Sequence, residues 1–513
     1  MVEFRLNPFY FYKKVGRRKK VDLNKKNYIQ LSGELFKRVQ INKIFPDSKT
    51  FTDSTPLFDA KTIERKYALE KKHKNFNLKN FVIANFQIPI AATELIENAV
   101  PANRSVETYI NSLWSVLYRN PDGVMQKGST LIPLPYPYIV PGGRFREIYY
   151  WDTYFTALGL VSSKMIDMVR NTCDNFCYLI DQIGYIPNAN RIYEATRSQP
   201  PFFVQLVKLL IEHTDTSCLH TYLPYVQKEY EFWMKERSVQ LDQGFILNRY
   251  GDKEATPREE AYLEERLHAH KVNINKKPQY YLHNRAAAES GWDFSGRWFA
   301  DHNSPSKCIA ANIIPVELNC MLYLYEKQLH AWYKLIGEDK KAGLYLKKGT
   351  ERVMIIQKYL YNKNEKFFFD YNFETKKQIN YPTLAGVFPL YAGIATKEQA
   401  QHIADKLKKD FLYPGGLVTS LHESGEQWDF PNGWAPLEWI AIQGLKKYGF
   451  TEFAGEIKAR WLRTCENTFK HTGNMYEKYN VVKVNRQPED GEYPLQTGFG
   501  WTNGVYVALL HDK

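Results

Sequence analysis

Cysteine is scarce in this chain of 513 residues: there are six, at positions 173, 177, 218, 308, 320 and 465, and none falls into C-x-x-C spacing. So thin a supply favours buried thiols over a disulfide framework. Long apolar runs are missing as well. No stretch approaches the roughly 18 apolar residues of a membrane span, and at the amino terminus MVEFRLNPFYFY comes before the lysines, the reverse of a secretion signal. The expectation is a cytoplasmic protein with no membrane partner. There is no H-E-x-x-H, and His268-Ala269-His270 reads as an ordinary pair on a polar helix, so neither a metal nor another cofactor is expected. β-α-β alternation is absent too, which argues against a doubly wound fold.

What is abundant is positive charge at one end and aromatic rings throughout. Residues 1–30 carry nine Lys or Arg against Glu3 and Asp22, a net +7 of the chain's +13, and the other 483 residues hold the remaining +6. Runs such as KKVGRRKK can contact phosphate, but they more often form a solvated tail. Residues 1–30 are therefore expected to be a mobile basic segment with no nucleic-acid partner. Aromatics make up 15% of the chain, with 36 tyrosines and 11 tryptophans, enough for a large core and a ring-lined pocket.

From about residue 160 the chain reads as successive helices. Between Pro315 and Gly337, apolar residues recur every three or four positions, with proline at the entry and glycine at the exit. FVQLVKLLIEH at 203, YVQKEYEFWMKE at 225 and the capping box formed by Thr396 and Gln399 follow the same rules. WAPLEWIAIQGLKKYG at 434 and residues 452–469 read as a consecutive pair, and KFFFDYNFE near 366 as a short hairpin. The predicted class is all-α. Helical hairpins stack into an open solenoid or close into a ring, and the chemically dense loops decide between them. These lie at 141–155, 185–200, 256–260, 289–298, 425–439 and 474–503, and their scatter favours a closed ring, since an open solenoid does not easily bring all six together. Residues 31–513 are then expected to form one catalytic domain, acting as a monomer.

PGGRFREIYYWDTYF at 141 begins as a turn, because proline and two glycines suit no helix interior. It then interleaves Phe145, Tyr149 and Trp151 with Arg144, Arg146, Glu147 and Asp152. Hydroxyls around a sugar's rim suit carboxylates and guanidinium groups, and its C–H faces suit rings. The stretches YIPNANRIYEATRSQPP, TPREE, ESGWDFSGRWF, QWDFPNGWAPLEW (with Trp428) and GEYPLQTGFGWTNG repeat that mixture. Any one of them could be a loop fixed by ion pairs, but six in one chain favour a carbohydrate site.

PGGRFREIYYWDTYF and QWDFPNGWAPLEW resemble, without a gap, the two signature motifs of the trehalase family, the inverting glycoside hydrolases that split α,α-trehalose. The likeness extends over nearly the whole chain, through LFKRVQINKIFPDSKTFTD, ESGWDFSGRWF and GFGWTNG. It implies an (α/α)6 toroid with the site in its funnel. It also implies Asp293 as general acid, Glu477 as general base, and sugar-binding roles for Arg144, Trp151, Asp152, Asn188, Arg197, Ser198, Gln199, Arg258, Glu259, Glu260, Gly291 and Glu492. Phe145 and Trp428 add aromatic walls. Such hydrolysis needs one protonated carboxyl for the leaving oxygen and one carboxylate to activate water. Trp292 and Phe294 could help keep Asp293 protonated if their rings turn towards it.

Three departures stand out. KYNVVKVNRQPEDG has one glycine where many relatives have a glycine-rich lid, Glu426 replaces a usual glutamine, and Thr497 replaces a common acid. Competing readings are weaker. A phosphorylase would lack the base at Glu477, and a silent sugar-binding protein would be expected to lose Asp293 or Glu477. A trehalose 6-phosphate hydrolase remains compatible with the arginines. A nucleic-acid-binding protein rests only on residues 13–26.

Overall fold

The computed structural model describes residues 20–89, 105–123, 126–484, 490–491 and 493–512. Among them, twelve helices form an (α/α)6 toroid in which outer and inner helices alternate along the chain. The outer helices are α1 (Val106–Leu117), α3 (Ile166–Ile183), α5 (Leu219–Glu236), α7 (Asp339–Tyr359), α9 (Lys397–Lys406) and α11 (Thr451–Thr472). The inner ones are α2 (Tyr150–Ser162), α4 (Phe203–His213), α6 (Val316–Leu335), α8 (Phe388–Ala392), α10 (Ala435–Lys447) and α12 (Gly500–His511). Each inner helix touches the next, and α12 returns to α2, which closes the ring.

The two layers follow from their residues. α2 is buried without interruption from Tyr150 to Leu160, and α12 from Gly500 to Leu509. Helices apolar on every side belong inside. α7 instead buries Ala342, Tyr345, Gly349, Arg352, Ile355 and Ile356 on one face. Ring closure depends on two glycines. A Cβ on Gly159 would lie 2.5 Å from the Cα of Gly504, and one on Gly504 would lie 2.2 Å from the carbonyl oxygen of Phe155. Backbones this close leave no room for a side chain.

The helices expected at 203, 225, 315–337, 434 and 452 are present, and so is the Thr396–Gln399 capping box. The hairpin near 366 is replaced by two separate pairings. Phe367–Phe368 pairs with Tyr361–Asn362, while Tyr371–Asn372 lies between Lys377–Gln378 and Ile313–Ile314. The amino-terminal region also holds more than the sequence indicated. Short helices between Gly33 and Asn85 build a second, smaller core from Leu35, Phe36, Val39, Phe51, Ile63 and Phe81, which closes on Tyr262. Of the basic segment, residues 1–19 lie outside the described residues. Further along, Ile29 and Gln30 are buried, and Lys25 forms ion pairs with Glu254 and, at 2.9 Å, with Glu259.

Candidate active site

One funnel collects loops that lead into five of the six inner helices. The turn before α2 brings Arg144 and Phe145, and the first turn of α2 brings Trp151 and Asp152. The α3–α4 loop supplies Asn188, Arg197 and Gln199. The long α5–α6 connection supplies Arg258, Glu260, Gly291 and Asp293, Trp428 comes from the loop before α10, and Glu477 from the α11–α12 loop. All these residues line a single cavity. Gly291 has φ +73°, and a Cβ there would stand 2.8 Å from Trp151 Cε2, so the glycine lets the indole close in. Trp428 stacks on Trp434 at 3.8 Å and on Trp292 at 5.4 Å, which makes that wall rigid.

Two expected residues are not brought to the cavity. Ser198 Oγ donates to the Ile186 carbonyl, and its backbone N–H donates to Glu289, so it braces the α3–α4 loop. Glu259 turns away to Lys25 and Arg285 because those cations lie behind the loop. Glu492 lies outside the described residues. In their place the cavity gains Asp47, Lys49, Glu194, Tyr493 and Trp501. Glu194 pairs with Arg197. Burial, opposed by Arg197 and reinforced by neighbouring Glu260, pushes its pKa up to about 8. Lys49 Nζ lies 2.7 Å from Glu147 and also binds Asp53, forming a buried network that no local pattern reveals.

The two assigned carboxyls differ in their surroundings. Arg258 Nη1 lies 3.1 Å from Asp293 Oδ2. Burial raises the pKa of Asp293, while Arg258 opposes the rise. The expected ring neighbours are otherwise engaged: Trp292 stacks on Trp428, and Phe294 lies under the Arg258 guanidinium. The Asp293 turn is held from behind, where Asp429, fully buried, accepts from Ser295 Oγ and from the Gly296 N–H at 2.7 Å each. Glu477 Oε1 accepts from the Tyr493 hydroxyl at 2.6 Å, and its carbonyl oxygen accepts from Trp501 Nε1 at 2.9 Å. Burial raises its pKa too, against Lys478 and Tyr493. Asp152 is raised well above the ordinary carboxylate range, first by burial and then by Glu477. Glu260 is held low because Arg197, Arg258 and Arg285 together outweigh its burial.

A cavity lined by guanidinium groups, indoles and several carboxyls has the chemistry that suits a carbohydrate. The family profile described as Trehalase matches residues 43–513. The chain belongs to the trehalase family. It is 42% identical over 492 residues to the periplasmic trehalase of Citrobacter koseri, covering 94% of this chain and 85% of that one. The same identity and coverage hold for the periplasmic trehalase of Salmonella agona. Among solved structures, neutral trehalase Nth1 from Saccharomyces cerevisiae matches with a TM-score of 0.63 and 28% identity over 80% of each chain. A mannosylglycerate hydrolase from Thermus thermophilus, at TM-score 0.52 and 18% identity over 79% of this chain and all of that one, shares the fold. This trehalase-family chain is therefore a glycoside hydrolase with a small sugar as substrate.

These relatives correct the expected cytoplasmic location, since they carry the name periplasmic trehalase. The expectation rested on the order of charges near the amino terminus and on the lack of a long apolar run. All six cysteines are free and buried, and a sequestered thiol says little about the redox state outside it. Among the described residues no helix is long and apolar enough to cross a membrane.

Proposed function

We propose that this chain hydrolyses α,α-trehalose with inversion at the attacked carbon, with Asp293 as general acid and Glu477 as general base. The observation that carries this reading is that the two carboxyls reach one cavity from separate loops, α5–α6 and α11–α12, among cationic and aromatic walls suited to an uncharged sugar. Asp293 gives its proton to the glycosidic oxygen as the bond to the anomeric carbon breaks. Glu477 takes a proton from the water whose oxygen bonds to that carbon from the opposite face. Arg197 and Arg258 keep Glu260 ionised, so it accepts hydrogen bonds from sugar hydroxyls, while Trp151 and Trp428 face the ring's C–H groups.

In this reading the catalytic unit is a monomer: the assigned groups that line the cavity need no second copy of the chain to complete them. It reaches upstream at least to Asp47 and Lys49, which line the same cavity. A periplasmic site of action agrees with the names of the relatives. The test is glucose release from trehalose without added phosphate, followed by early NMR of the products. Equal α- and β-glucose is expected, because one ring keeps its configuration and the other inverts. α-Glucose alone would mean retention and would end these assignments.

A further inference from the structure

The residue after the assigned base is a lysine sealed inside the protein. Lys478 is 1% exposed, and Glu477 shares that figure. Its Nζ lies 3.7 Å from Glu477 Oε2 and 3.4 Å from Gln427 Oε1, with the rings of Trp434 and Tyr493 at 5.5 and 5.9 Å. Among the described residues no other carboxylate lies within 4 Å of this ammonium. A buried cation is tolerated only beside compensating charge or π faces, and here the charge is that of Glu477. Among the described residues Glu477 Oε2 in turn has no hydrogen-bond partner, whereas Oε1 is taken by Tyr493. Gln427 extends the arrangement, because its Nε2 donates to the carbonyl oxygen of Asp293 at 2.7 Å.

We propose that Lys478 is a positioning residue for the reaction, holding Glu477 ionised and correctly aimed, and that Gln427 ties this pair to the turn bearing the acid. This rests on Glu477 being the base. The other groups facing Glu477 do not replace the lysine. Tyr493 donates one hydrogen bond, Arg144 acts from above the Tyr493 ring at 4.9 Å, and Asp293 favours the protonated form. After burial, Lys478 is the strongest influence on the Glu477 pKa, and it acts downward.

The sign is fixed. Removing the ammonium raises the pKa of Glu477, so the acid limb of kcat/KM against pH moves up. In full-length Lys478→Met, kcat/KM on the acid side should fall roughly tenfold or more, part of the ~10²–10⁴ a general base contributes. KM should change little, because Lys478 lies behind Glu477 and does not line the cavity. Lys478→Arg should return the limb towards its original place. Lys478→Gln serves as a second neutral variant. A limb that stays in place in a folded neutral variant would overturn the proposal, whatever happens to kcat. So would failure of both neutral variants to fold while the arginine variant folds, since that assigns the lysine to stability. Glu477→Gln measured alongside keeps the two ideas apart. If it retains activity, the assignment of the base itself fails; if it is inactive while the neutral variants keep their limb, only the role of Lys478 is lost.

Discussion

Asp293 and Glu477 occupy one cavity, yet solvent reaches 28% of the Asp293 side chain and only 1% of Glu477. Asp293 has an arginine on one oxygen, while Glu477 is gripped by a tyrosine hydroxyl and flanked by a buried ammonium. The difference matches the two tasks proposed for them. A proton donor must reach the oxygen of a departing sugar, so it needs an open approach. A base must hold one small water in line with the anomeric carbon, so it gains from being fixed.

The comparison breaks most visibly if each carboxyl is neutralised. Asp293→Asn and Glu477→Gln should each lower kcat by about 10²–10⁴-fold with the fold intact. A glucosyl fluoride, whose leaving group needs no proton, separates them. The Asp293 variant should recover much of its rate on that substrate and the Glu477 variant should not. Equal recovery would mean that the roles are shared or exchanged. In the unaltered protein both pKa values are raised by burial. Under the proposed assignment the active form needs Glu477 ionised and Asp293 protonated, so the bell-shaped profile should lie above the ordinary carboxylate range. A profile centred at or below that range would contradict it.

Arg258 sharpens the acid side. It holds Asp293 and, at 2.6 Å, the buried Glu265. Arg258→Met removes the influence that lowers the Asp293 pKa, so the alkaline limb of the profile should move up. It also leaves Glu265 buried without its cation, a cost of about 3–5 kcal/mol that a melting curve would register. An unmoved alkaline limb would mean that Asp293 is not the group titrating there. Gly291→Ala probes the cavity wall at Trp151. With φ at +73° and Trp151 Cε2 2.8 Å from the new methyl, overpacking should cost about 1–3 kcal/mol and raise KM more than it lowers kcat. An unchanged KM would show that Trp151 has room to retreat.

Legibility in the sequence tracked how local each determinant is. Helices such as Phe203–His213 declared themselves through spacing along a few turns. Cavity residues on long motifs, such as Trp151 and Asp293, could be located because the motif and the loop coincide. Ser198 and Glu259 lie on motifs of the same kind yet face away, because their direction is set by Glu289, Lys25 and Arg285, which lie outside those motifs. Glu194 and Lys49 were missed for the same reason: Lys49 finds Glu147, and Glu194 owes its raised pKa to burial and to Glu260 from another loop. The short amino-terminal helices give too few turns for periodicity to speak.

The smallest expected effect lies furthest from the chemistry, at Lys25. Its ammonium meets Glu254 and Glu259 with 11% of the side chain exposed, so the pair is neither a screened surface contact nor a sealed one. Glu259 follows Arg258, whose guanidinium meets Asp293, so the basic segment holds the loop that bears Arg258 by two links. Arg285 also binds Glu259, at 3.2 Å, and would keep much of the loop in place alone. Lys25→Met should therefore raise KM for trehalose by about two- to fivefold, in line with ~0.5–1 kcal/mol for a partly exposed ion pair. The rise should shrink in high salt, which already weakens the pair in the unaltered protein. If KM is unchanged at low salt, Arg285 alone holds the loop, and the segment up to residue 26 can be removed without loss of function.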